Sequence, residues 1–142
     1  MSKGLYNKII AKFLLLEKYM RYLKELQKAS KLEFLNDFKI FGASERYLHL
    51  AIEVMIDTGK IIISANEMER PDENKEIFDI LLKNKVITQD LYEKLRGIVG
   101  FRNILVHEYA EISLQTVFDK LQNNLTHMLT YKKQILKYLS KK

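Results

Sequence analysis

The chain has no cysteine, one proline and five glycines in 142 residues. Without cysteine there is no disulfide framework and no thiolate metal site, and a reducing compartment suits it. So few backbone breakers predict long helices joined by short connections. Long hydrophobic runs are missing too. Near the N-terminus the longest apolar run is Phe13 to Leu16, bracketed by Lys12 and Glu17. That is not a secretory signal, and no stretch approaches a bilayer span, so a cytoplasmic protein with no membrane partner is expected. There is no glycine-rich phosphate loop, no zinc-finger spacing and no readable Ser-His-Asp arrangement. P-loop and Rossmann nucleotide binding are therefore not expected.

What is present is 47% hydrophobic and 30% charged sequence with a formal net charge of +6. The length suggests one domain, residues 1–142, able to bury a core without staples. The cations are mostly Lys. They fit attraction to a polyanion such as RNA, and equally a Lys-rich solvated surface; charge alone does not choose between these.

Apolar periodicity predicts the helices. Leu5, Ile9, Phe13, Leu16, Met20, Leu23 and Leu26 draw one stripe on a helix over 3–29. Ser30 and Glu33 form a capping-box pattern that starts a second helical region, 31–66, with a break expected at Gly42. Within it, residues 45–66 are apolar on more than one face, which marks a central helix. Gly59 there points to a close helix approach. Pro71 ends the region. A short helix over 75–83 follows, then one from Gln89 to His107 or slightly beyond, with Thr88 as N-cap. Gly97 and Gly100, one turn apart, are expected to let another backbone come near. Ser113 caps a last helix over 114–140. The sum is an all-α four-helix bundle with one or two short additional helices.

Residues 100–109, Gly-Phe-Arg-Asn-Ile-Leu-Val-His-Glu-Tyr, gather four polar groups beside aliphatic ones: Arg102, Asn103, His107 and Tyr109. On a regular helix Asn103 and His107 share a face, whereas Arg102 and His107 are offset by roughly 140°. Two copies of the helix meeting about a symmetry axis would bring both types into one cleft. An imidazole takes and returns protons near neutral pH. A guanidinium holds a phosphate by paired hydrogen bonds and keeps its charge. Together they suit attack of a ribose 2′-hydroxyl on its neighbouring phosphodiester, with Arg102 and His107 catalytic and Asn103 supporting. No metal and no cofactor is needed. The competing reading is a helix end tied down by bonds from Arg and His to carbonyls.

Arg102-x4-His107-x-Tyr109, as FRNILVHEY, resembles the signature of HepT-like proteins in the HEPN superfamily. Residues 45–63 resemble that family's second long helix and 77–105 its middle, so the likeness covers roughly three quarters of the chain. The resemblance implies a HEPN-like helical fold and a homodimeric, metal-independent ribonuclease toxin with its cleft between protomers. It implies RNA as substrate, tRNA or mRNA, and a minimal nucleotidyltransferase antitoxin as partner. That antitoxin silences the toxin by transferring AMP to the motif tyrosine, here Tyr109.

Glu53 and Asp57 lie one turn apart on the central helix, with Arg46 seven residues before Glu53 on the same face. They read as a supporting polar network or as direct participants beside Arg102 and His107. His49 and His127 read as surface or interhelix histidines. Two other functional classes remain: a helical module that binds nucleotide, RNA or a nucleotidyltransferase without cutting, and a purely structural bundle. The second leaves the clustered polar groups unexplained.

Overall fold

A computed structural model describes residues 1–107 and 113–141. Its described residues contain helices and no strand, as the sparse glycine and proline predict. The elements are α1 (Lys3–Leu26), α2 (Lys31–Asn36), α3 (Phe38–Ala65), a 3-10 turn (Asn74–Glu76), α4 (Ile77–Lys83), α5 (Gln89–Lys94), α6 (Ile98–Val106), α7 (Leu114–Asn123) and α8 (Leu125–Ser140). In space α1, α3, α5–α6 and α7–α8 act as four rods, with α2 and α4 the short extras. The central rod is α3, which packs against α1, α2, α4, α6, α7 and α8.

The expected stripe of α1 is the buried one: Ile9, Phe13, Leu16, Met20 and Leu23 face the core. Both halves of the capping box form, the Ser30 hydroxyl accepting from Glu33 N and the Glu33 carboxylate from Ser30 N. The next break falls at Asp37, not Gly42. Asp37 is extended and its carboxylate accepts from Lys39 N at 2.9 Å, so it caps α3, and Gly42 lies inside the helix. A side chain able to satisfy an orphan N–H outweighs a residue that merely weakens a helix.

Two of the expected long helices are broken. Gly97 adopts φ +77°, the left-handed conformation that glycine takes without strain, and separates α5 from α6. It therefore serves a turn. A Cβ at Gly97 or Gly100 would touch nothing within 4 Å among the described residues, so neither supports the close approach expected of them. Asn124 separates α7 from α8. There the Gln27 amide donates to the carbonyls of Leu121 and Gln122 at 3.0 and 3.2 Å, and Gln122 returns a bond to Gln27 O. A side chain inserted at a helical ladder is an identifiable cause of a kink.

Gly59 does mark a close approach. A Cβ there would lie 2.6 Å from Ile77 Cγ2, so α4 crosses α3 at this point. Next to it in the chain, buried Thr58 meets Tyr131 of α8. The Tyr131 hydroxyl donates to the Met55 carbonyl at 2.9 Å and sits 3.0 Å from Thr58 Oγ1, which itself bonds the Val54 carbonyl. Phe13 and Phe78 pack edge-on against the Tyr131 ring. Ion pairs tie α1 to its neighbours, Lys12 to Asp57 at 3.3 Å and Glu17 to Lys132. No helix among the described residues is long and apolar enough to cross a membrane.

Burial pushes the Tyr131 phenol above the ordinary tyrosine range, against the opposing effect of Thr58. Replacing Tyr131 with Phe should destabilise the protein by about 1–2 kcal/mol at neutral pH, because the Met55 carbonyl and the Thr58 hydroxyl lose a buried partner. A raised folded pKa adds stability that is complete below the unfolded value and is lost above it. The gap between wild type and Tyr131→Phe should therefore shrink as pH rises past about 10. Urea denaturation of both proteins on either side of that pH checks the sign; a gap that widens contradicts it.

Candidate active site

The left-handed turn at Gly97 restarts the chain as α6. Ile98, Val99 and Phe101 are buried there and seat the helix on the core. Lys120 of α7 lies over the Phe101 ring, 5.7 Å from its centroid. This phase turns Arg102 toward α3, where its guanidinium meets Glu53.

Arg102 Nε donates to Glu53 Oε1, and Nη2 pairs with the same oxygen. Nη1 donates to Asn103 Oδ1 at 3.0 Å. A guanidinium carries five N–H donors. Three face these partners; the second N–H of Nη1 and of Nη2 has no partner among the described residues and is placed to meet an incoming anion. The Arg102 and Glu53 side chains are 22% and 27% exposed, partly shielded yet open to a ligand.

His49, read from the sequence as a surface or interhelix histidine, joins this cluster. Its Nε2 lies 3.6 Å from Glu53 Oε1, one turn earlier on α3. Burial first, then the charges of Arg102 and Arg46, hold its pKa below the ordinary histidine range, while Glu53 opposes them. The i,i+4 spacing of His49 and Glu53 was the signal available in the sequence.

The other expected residues are distributed differently. Arg46 is exposed and reaches the cluster through its charge on His49. Asp57 pairs with Lys12 of α1, so it serves the α1–α3 contact and is not paired with Arg102. His107 is exposed and follows the last residue of α6, with extended φ −93° and ψ 109°. The helical phase that places it on the Asn103 face therefore stops one residue short of it. Tyr109 lies outside the described residues. Among the described residues no group of three His, Asp or Glu is gathered as a metal ion would need.

These residues lie within a stretch that matches known proteins. Residues 16–135 match the family described as Ribonuclease HepT-like. A Shewanella oneidensis protein named mRNA nuclease HepT is 32% identical over 93 residues, 66% of this chain and 70% of the relative. A tRNA nuclease HepT of Aphanizomenon flos-aquae is 31% identical over 125 residues, 88% of this chain and 85% of the relative. The fold superposes on a tri-AMPylated HEPN toxin of Shewanella oneidensis, solved in complex with an MNT antitoxin. That match has a TM-score of 0.81 and 26% identity, and covers 96% of this chain and 99% of the other. With most of its length inside the family's match, and relatives of this similarity on either side, the chain belongs to the HepT-like ribonuclease family.

Proposed function

We propose that this chain is the toxin of a toxin–antitoxin pair: a cytoplasmic, homodimeric endoribonuclease that needs no metal, built on residues 1–142 as one HEPN/HepT-like domain. The observation that carries the reading is the half-buried Arg102, held by Glu53 and Asn103 with donors to spare, five residues ahead of an exposed His107.

The chemistry follows from those groups. The His107 imidazole takes the proton of a ribose 2′-hydroxyl, and O2′ attacks the adjacent phosphorus. A bond forms from O2′ to phosphorus, the bond from phosphorus to the 5′-oxygen breaks, and an imidazolium protonates the leaving oxygen. The free N–H groups of Arg102 stabilise the charge that builds on the phosphoryl oxygens. Glu53 and Asn103 are positioning residues, fixing the guanidinium plane. In a homodimer two copies of α6, each with the His107 that follows it, supply two guanidiniums and two imidazoles to one cleft. The RNA is a tRNA or an mRNA, since relatives are named for each.

Silencing is assigned to Tyr109. A partner nucleotidyltransferase would transfer AMP so that the phenol oxygen attacks the α-phosphorus of ATP and pyrophosphate leaves. The product adds bulk and negative charge two residues past His107, where it repels the RNA backbone and competes for Arg102. The similar Shewanella oneidensis HEPN toxin is tri-AMPylated in its complex with the MNT antitoxin, which supports AMP transfer as the means of silencing.

Cleavage of purified RNA in EDTA should fall about 100-fold or more in His107→Ala and in Arg102→Ala. Arg102→Lys should not restore it, because an ammonium lacks the planar fork. Glu53→Gln should reduce it less than either. Equal products from wild type and His107→Ala would exclude this mechanism.

After co-expression with a nucleotidyltransferase antitoxin of the MNT kind, mass spectrometry should find AMP on Tyr109, and Tyr109→Phe should remain toxic in its presence. Modification on another tyrosine, with Tyr109→Phe still silenced, contradicts the assignment.

A further inference from the structure

A cleft of about 1000 Å³ opens beside this site, between the C-terminal half of α3, the segment after it and α6. Asn103 lines it and also accepts from Arg102, so cleft and site share a wall. Along α3, Lys60 is on the same face as Glu53, seven residues on, which is about 10 Å at the helical rise. A nucleotide next to the cut is the part of a strand that such a distance reaches.

The lining says which part of that nucleotide fits. Lys60, Arg70 and Lys75 are balanced by Glu67, Asp72 and Glu73. Lys75 and Glu73 bond each other at 3.1 Å. A cleft without net charge offers a phosphate chain little attraction. It offers a neutral heterocycle a great deal. Met68 and Pro71, both half-buried, supply apolar surface for the faces of a ring, above a floor formed by the buried Ile63 and Val99. Its edge would find donors on Lys60, Arg70 and Ser64, and acceptors on Glu67 and Asp72. Proteins read single-stranded RNA in this way, with an unstacked base held by its faces and recognised at its edges.

We propose that this cleft seats the base of the nucleotide flanking the scissile phosphate, and thereby sets which RNA sequence is cut. The inference rests on the ribonuclease reading above. Lys60 and Ser64 are exposed on α3, and alanine at either position favours the helix, so their removal tests recognition without threatening the fold.

The first experiment maps cut sites in a pool of randomised single-stranded RNA. Wild type should prefer one base beside the cut by about tenfold or more, and the double variant Lys60→Ala/Ser64→Ala should level that preference by a similar factor. Unchanged preference in the variant, or a wild type that cuts without preference, overturns the proposal. The second experiment needs no cleavage. In His107→Ala protein, the methyl NMR signal of Met68 is followed as each of the four nucleoside 5′-monophosphates is added. Met68 should shift, with the four ranked as the cut sites rank them. A silent Met68 overturns the proposal, as does one that shifts only with the nucleotidyltransferase. If Met68 responds while wild type cuts nothing, the nuclease reading fails and the base site stands.

Discussion

The contact between Arg102 and Glu53 fastens α6 to α3, and the rest of the site is arranged around it. As a source of stability it is modest, because desolvating two charges offsets most of their attraction. Its value is directional. A carboxylate that takes Nε and Nη2, with Asn103 taking Nη1, leaves a guanidinium that cannot rotate and has two N–H groups pointing elsewhere. Removing either partner leaves a partly buried charge uncompensated, which disturbs the α3–α6 seam as well as the chemistry.

Behind that seam α3 is held rigidly on its other side. Thr58 and Gly59 face α8 and α4, where the Tyr131 hydroxyl and Ile77 press against the helix. Glu53 and Lys60 stand on the outer face. One helix thus separates the tasks: its inner face fixes position, its outer face meets the guanidinium, and its last turns border the cleft.

Much of this was legible in the residues. The α1 stripe, the Ser30 box, the crowding at Gly59 and the all-α architecture follow from spacing and capping chemistry alone. The breaks did not. Asp37 and Gly42 compete for one boundary, and the choice depends on which satisfies a backbone donor. The kink at Asn124 is made by Gln27, far away in sequence, so no local pattern encodes it. Gly97 reads as a packing glycine until its positive φ is known. In the site, the Arg-x4-His-x-Tyr signature singled out the segment, and Glu53, read as a supporting group or a direct participant, is found paired with Arg102. Asp57 was grouped with Glu53 because their spacing is helical, yet Lys12 on a neighbouring helix claims it. His49 was read only as a surface or interhelix histidine: its partner sits on its own helix, and the Arg102 charge that acts on it comes from another.

The central claim is that guanidinium and imidazole groups act on one phosphate. Its most direct test is a crystal structure of the protein with a short RNA made uncleavable by a 2′-deoxy substitution at the cut. The account predicts a dimer in which the scissile phosphate accepts from Nη1 and Nη2 of Arg102, with a His107 imidazole against the 2′ position. A phosphate bound away from Arg102, or Arg102 and His107 turned to separate surfaces of the dimer, would contradict it.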